Sequence, residues 1–318
     1  MTVLREDAEK IWFLGVEVYA FGLYVCLGLA LAMLVMGVLV RKGKGRWASG
    51  TAALTGVLSI GIGFLVSRLF FGLMDGIAGQ PMPLWALVRF NSGGYSMIGA
   101  LLGACMGAVL AARITRQRAP RLLDLLAPAF LLFIACERLG EGHIEDFGVS
   151  RKLTVDLPES LFLVSDGRLN TYLLESFSAV VLAIVLLRDL SMKRREGDTF
   201  LEFLLLFGAV QVLMESLRKD GHMTVNAFVR LEMILSMMLL GCGVIVLFIR
   251  SVKRRPALSW AALISVFAAV GLGVLIEFKI DRSQISHYLL YAAFIAVLAV
   301  PTALGMLLRK EGGRSGQA

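Results

Sequence analysis

Apolar residues run through this chain in long blocks, separated by short polar connections rich in Lys and Arg. Most blocks reach or approach the roughly 20 residues that a helix needs to cross a hydrocarbon layer about 30 Å thick. Nine of them lie near residues 18–40, 50–71, 95–112, 122–137, 171–187, 199–216, 227–249, 258–277 and 287–308. The pattern predicts an all-α polytopic membrane protein with about nine transmembrane helices. The longest connection, 138–170, falls between spans four and five and predicts a small extracytoplasmic head. Ahead of the first block, "IWFLGVEVYAFGLY" reads either as an interfacial helix or as the outer end of span one.

Composition removes the soluble alternative. Of 318 residues, 58% are hydrophobic and 18% charged, too little polar surface to clothe a water-soluble globule of this size. The basic balance, with a sequence pI near 9.5, does not point to nucleic acid, because its distribution has another cause. Arg41, Lys42, Lys44 and Arg46 share one connection, and the next, 72–95, holds only Arg89. Arg113, Arg116, Arg118 and Arg121 then cluster again, as do Arg188, Lys193, Arg194 and Arg195, and later Arg250, Lys253, Arg254 and Arg255. Cytoplasmic loops carry such an excess, so the N-terminus is expected outside and the C-terminus in the cytoplasm. The membrane expected is the bacterial cytoplasmic one. Cys26, Cys105, Cys136 and Cys242 all lie in or at the ends of apolar blocks, which gives no disulfide framework. The mixed charge of "MTVLREDAEK" and the length of the first block predict no cleavable signal peptide. Residues 1–250 read as a membrane core with 138–170 as its head, and 251–318 as two further spans with a cytoplasmic tail.

Candidate chemistry gathers on one side of the membrane. A charge at the centre of a spanning helix costs about 2.5–3.5 kcal/mol on insertion scales, so intramembrane charges need a rim, a partner or a cavity. Arg68, Glu137, Arg138, Glu175, Glu215, Arg218, Arg230, Glu232 and Glu277 all fall near the predicted outer surface. Gln211, Glu215 and Arg218 are spaced i, i+4, i+7, hence on one helix face, with Glu215 close enough to pair with Arg218. Such a pair is a rim salt bridge or a carboxylate holding a guanidinium toward a lipid phosphate. Gly99, Gly103 and Gly107, four apart, suit close helix packing, and Gly93, Gly94 and Ser96 before them could offer backbone amides to a ligand. His143, His222 and His287 have no metal-site spacing, so neither metal nor cofactor is expected.

Taken in order, several stretches resemble the prolipoprotein diacylglyceryl transferases over residues 15–250. Phe21-Gly22 resembles that family's Tyr-Gly, and "GGYSMIG" its Gly-Gly-x-Ser-x-His-Gly. "ERLGEG" is similar to its Gly-Arg-x-Gly-Asn-Phe signature, giving Arg138 and Gly140; Leu174-Glu175 stands for its Tyr-Glu. "FGAVQVLMESLR" resembles Tyr-Gly-x-x-Arg-Phe-x-x-Glu-x-x-Arg, giving Gly208, Glu215 and Arg218, and "MTVNAFVRLEMIL" resembles the stretch that follows. The chain departs from the family at Phe21 for Tyr, Ile98 for His, Glu141 for Asn and Gln211 for Arg. The family has seven spans, which makes the last two here additions.

The resemblance implies transfer of a diacylglyceryl group from phosphatidylglycerol to the cysteine thiol of a lipoprotein precursor, or to another outer-leaflet acceptor. Arg138, and Arg218 oriented by Glu215, would contact the phosphate; Phe21, Gly93, Gly94, Ser96, Gly140, Glu175 and Gln211 would shape the substrate site. With Ile98 at the family's histidine position, His143 or Glu141 is the expected base. Two other classes remain at this point: a noncatalytic scaffold binding phospholipid or a partner, and a transporter. The gathering of charges on one leaflet speaks against the transporter.

Overall fold

The computed structural model describes residues 9–13, 15–42, 50–79, 83, 85, 94–144, 147–153, 163–165, 167–191, 195–219, 224–225 and 229–314. Among them are nine long helices, and each falls on one of the apolar blocks. Seven are long and apolar enough to cross a membrane. The chain divides into two compact units, Met1–Gly148 with Tyr172–Leu190 and Val149–Thr171 with Ser191–Ala318.

The first unit opens with strands β1 (Lys10–Phe13) and β2 (Val16–Tyr19), paired antiparallel from Lys10↔Tyr19 to Phe13↔Val16. This corrects the helical reading of that segment up to Tyr19, while its residues 20–24 are the start of the first helix. Val16 and Val18 alternate with Glu17 and Tyr19, a period of two, and Gly15 supplies a φ of +82° in the connection. Four helices follow: α1 (Ala20–Lys42), α2 (Thr51–Ile77), α3 (Met97–Ile114) and α4 (Ala119–Glu141). The unit also takes nearly all of α5 (Thr171–Ser191).

The glycine spacing of α3 does what it predicts. A Cβ at Gly103 would stand 2.5 Å from the Ile62 carbonyl oxygen, and one at Gly107 2.5 Å from that of Leu58, so α2 and α3 meet backbone to backbone. Gly28 serves α1 in the same way against Phe133 of α4, at 2.9 Å. On α4, which bears Arg121, Asp124, Glu137, Arg138 and Glu141, and on α5, with Glu175, Arg188 and Asp189, charge dilutes the apolar run. These two are the helices outside the seven.

In the second unit α6 (Asp198–Leu217), α7 (Leu231–Ser251), α8 (Pro256–Arg282) and α9 (His287–Arg314) pack together. Their core joins Val212, Met233, Ile276, Ile280, Leu290, Phe294 and Leu298, one or more from every helix. Gly208 lets α6 approach α7, its Cβ position lying 2.8 Å from the Leu240 amide nitrogen. Ion pairs hold the helix ends remote from Arg218: a buried one from Arg309 to Glu202 at 2.7 Å and a partly buried one from Arg250 to Asp198 at 3.2 Å. Short antiparallel pairs complete the unit, β3 (Val164–Ser165) with β4 (Arg168–Leu169) and β5 (Thr224–Val225) with β6 (Val229–Arg230).

Candidate active site

Helix α4 continues to Glu141, so the connection read from the sequence as starting at 138 begins at Gly142, and Arg138 stands in the last helical turn. Its guanidinium is 4% exposed and is surrounded by carboxylates. Nε lies 2.8 Å from Glu175 Oε2 on α5 and 3.5 Å from Glu137 Oε2, while Nη1 donates to Glu141 Oε1 one turn along the same helix. Nη2 meets the sulfur of Met97, a weak acceptor, at 3.2 Å. The residue that replaces the family's Asn is therefore engaged with the arginine. Glu141 orients Arg138 and is not placed as a free base.

Three acids around one arginine is an expensive arrangement to bury, because desolvation of each charge is repaid only by close, well-directed contacts. Its benefit is a guanidinium whose direction is set on two sides before any ligand arrives. A rigid fork of donors suits the oxygens of a phosphate.

Beside this cluster lies a mostly apolar cavity of about 300 Å³ lined from all of α1, α2, α3 and α4. Along α1 it extends from Phe21 to Met36, about 22 Å at a rise of 1.5 Å per residue. Leu29, Met33, Phe64 and Phe133 form part of its wall, and Glu137 and Ser96 reach it from the Arg138 end. Phe21 thus lines the cavity, and Gly140 admits it: a Cβ there would be 3.1 Å from the Phe21 ring and 3.0 Å from Tyr24 Cβ.

His143 sits two residues beyond α4 with partners on both sides. Its Nδ1 faces Glu9 Oε2 at 2.5 Å, and Nε2 faces the Tyr24 hydroxyl at 3.4 Å, with the two rings stacked 5.2 Å apart. Donation from Nδ1 to a carboxylate leaves Nε2 as the nitrogen able to accept a proton. Neither Glu9 nor Tyr24 was singled out in the sequence. Glu9 is 134 positions from His143, a separation at which no local spacing carries a signal.

Gly94 serves another arginine. Arg68 of α2, 1% exposed, donates from Nη1 to the Gly94 carbonyl at 2.7 Å and lies over the Tyr95 ring at 5.3 Å. Gly94 has φ +79°, and a Cβ on it would come within 2.7 Å of that Nη1, so the position demands glycine twice over. Ser96 caps α3 by accepting from the Gly99 amide at 3.2 Å, and its own amide donates to the Ser67 carbonyl at 3.3 Å. The expectation that this stretch presents open amides is corrected for Ser96, whose amide is occupied. Gly93 lies outside the described residues. Burial pushes the Tyr95 phenol above its ordinary range, against the opposing pull of the Arg68 charge.

The second unit holds the remaining candidates. Gln211 donates from Nε2 to Glu215 Oε1 at 3.0 Å, both buried. Arg218 follows directly on α6, which ends at Leu217: its amide keeps the helical bond to the Met214 carbonyl at 3.2 Å, and the chain turns extended there, with φ −63° and ψ 148°. Its carbonyl accepts from Nη2 of Arg230, and its backbone bridges to Ser150. The apolar block read from the sequence as 199–216 ends within one residue of this helix end.

Comparison with known proteins gives the family. The family model for prolipoprotein diacylglyceryl transferase matches residues 9–249. A phosphatidylglycerol–prolipoprotein diacylglyceryl transferase of Bacillus licheniformis is 28% identical over 260 residues, covering 76% of this chain and 91% of its own. The enzyme of that name from Clostridium novyi is 23% identical over 250 residues, 76% of this chain and 95% of its own. A match across that span includes the Arg138 turn, the first-unit cavity and the Gln211 to Arg218 stretch, and so this multi-pass membrane chain belongs to the prolipoprotein diacylglyceryl transferase family.

Proposed function

We propose that this protein transfers the diacylglyceryl group of phosphatidylglycerol to the cysteine thiol of a lipoprotein precursor. The observation that carries the proposal is Arg138, a buried guanidinium fixed by Glu141 and Glu175 beside one end of an apolar cavity. An acyl chain fits such a slot, and the phosphate of the headgroup meets the arginine at its end.

The thiol sulfur attacks the glyceryl carbon esterified to phosphate, the carbon–oxygen bond breaks, and glycerol phosphate departs with the bonding electrons. Charge grows on the phosphate as it leaves, and Arg138 is positioned to stabilise it. A thiol with a pKa of about 8.5 is mostly protonated at neutral pH and needs a base to accept its proton. His143, held by Glu9 through Nδ1, supplies that base from Nε2 where the family's histidine position is Ile98. In the first unit Gly94, Ser96, Gly140 and Phe21 belong to the proposed substrate residues with Arg138; in the second, Arg218 is proposed as a phosphate-binding residue together with Glu215 and Gln211.

The same reading takes all nine helices as spans of the bacterial cytoplasmic membrane. The N-terminus, the head and the arginines face outward, the C-terminus faces the cytoplasm, and α8 and α9 are added to a seven-span core. The test is release of glycerol phosphate from labelled phosphatidylglycerol by the purified protein in lipid. Release should need both a lipobox peptide and Arg138. Retained phosphatidylglycerol without release would instead make the chain a lipid-binding scaffold.

A further inference from the structure

The helix pair α8–α9 begins beyond the residues that the family model matches, yet it touches the backbone around Arg218 in two ways. Glu277 of α8 is 1% exposed, and its Oε2 accepts from Arg151 Nη2 at 3.1 Å. Tyr291 of α9 donates its hydroxyl proton to the Ser216 carbonyl at 3.1 Å. The second contact ends two residues before Arg218, and the first ends on Arg151, whose amide pairs with the neighbouring Leu217.

Arg151 is part of a small backbone ladder. Its amide donates to the Leu217 carbonyl at 2.8 Å, and the Lys219 amide donates to the Val149 carbonyl at 2.8 Å, so 149–151 and 217–219 run as paired strands centred on Ser150 and Arg218. The ladder has a third rung: the Ser150 amide donates to the Leu169 carbonyl at 2.8 Å, and the Leu169 amide returns a bond to Ser150 Oγ at 2.9 Å. The Arg218 amide keeps the last helical hydrogen bond, to the Met214 carbonyl at 3.2 Å, and the chain then leaves the helix, so these rungs set the course of the backbone on either side of Arg218.

We propose that Glu277 is a positioning residue for Arg218, acting through Arg151, and that α8–α9 brace the phosphate-binding arginine of the second unit. Glu277 fixes the Arg151 side chain, Arg151 holds the Leu217 carbonyl, and Tyr291 holds Ser216 from the other helix. Oε1 of Glu277 has no hydrogen-bond partner among the described residues, which leaves Arg151 as the cation beside this buried carboxylate. The chemistry predicts an asymmetry. Removing Arg151 strands a buried charge, whereas neutralising Glu277 leaves only a partly exposed arginine.

The activity arm of the test rests on the transferase reading; the proteolysis arm does not. The full chain in lipid is compared with Glu277→Gln, Arg151→Gln, the double variant and Glu277→Asp. Each single neutral variant should raise KM for phosphatidylglycerol about tenfold with the KM for peptide unchanged, and the double variant should be no worse than Arg151→Gln alone. Glu277→Asp should recover part of the loss. Independently, limited trypsin cleavage after Arg151 should quicken several-fold in Glu277→Gln, and Arg151→Gln should lower the melting temperature more than Glu277→Gln. Unchanged cleavage after Arg151 would overturn the brace whatever the enzyme does. A double variant whose loss is the product of the single losses would overturn the coupling between the two residues. Should wild type itself fail to turn over phosphatidylglycerol, the transferase reading falls and the cleavage rates still decide the brace.

Discussion

At the scale of single residues, Arg138 concentrates most of the energetic consequence. If Arg138 meets the leaving phosphate as proposed, truncation to Ala is expected to cost about 2.7–4 kcal/mol of transition-state stabilisation in kcat/KM, measured by glycerol phosphate release. It also leaves Glu137, Glu141 and Glu175 facing one another without the guanidinium, which breaking a buried ion pair puts at about 3–5 kcal/mol of stability. Arg138→Lys should restore part of the stability and little of the activity, because an ammonium cannot reproduce the fork that addresses Glu141, Glu175 and a phosphate together. His143 makes a second prediction. Glu9→Gln should cut kcat several-fold while leaving phosphatidylglycerol binding intact, and His143→Ala should cost more, since the first loses only the orienting carboxylate. Equal binding and equal turnover in both variants would remove His143 from the chemistry. Arg138 and Glu141 were both legible in the sequence, but their mutual engagement was not, because a motif position identifies a residue without saying which neighbour it faces.

At the scale of elements, small residues decide how near the helices come. Gly103→Ala and Gly107→Ala would each place a methyl 2.5 Å from a carbonyl oxygen of α2, and backbone cannot swing aside as a side chain can. Each is expected to destabilise by about 1–3 kcal/mol in thermal or denaturant unfolding. Gly61→Ala on α2, where a Cβ meets nothing within 4 Å, is the control and should be neutral or slightly stabilising. This packing could be read from spacing alone, since a repeat of four small residues has few other uses in an apolar helix. The end of α6 was legible too, the block 199–216 stopping one residue short of Leu217, whereas the hairpin at Lys10–Tyr19 was not, because strands of four residues depend on their partner, here the β1–β2 pairing.

At the scale of the whole molecule, long apolar blocks were the clearest signal, because burial in lipid imposes the same requirement on each spanning helix. All nine blocks correspond to helices of the described residues, with ends displaced by up to six positions. The contacts that make a site out of them were largely silent. Arg138 with Glu175, Arg68 with Gly94, and Arg151 with Glu277 each join residues far apart in sequence, and only the fold brings such pairs together. The resemblance to a family carried what periodicity could not, namely which charges share a purpose. The central claim is that this chain forms a thioether on a peptide cysteine, and mass spectrometry of a lipobox peptide incubated with the protein and phosphatidylglycerol tests it most directly. The account predicts a peptide heavier by one diacylglyceryl group, absent with Arg138→Ala and absent when the peptide cysteine is Ser. An unmodified peptide under conditions where the wild-type protein holds phosphatidylglycerol would contradict it.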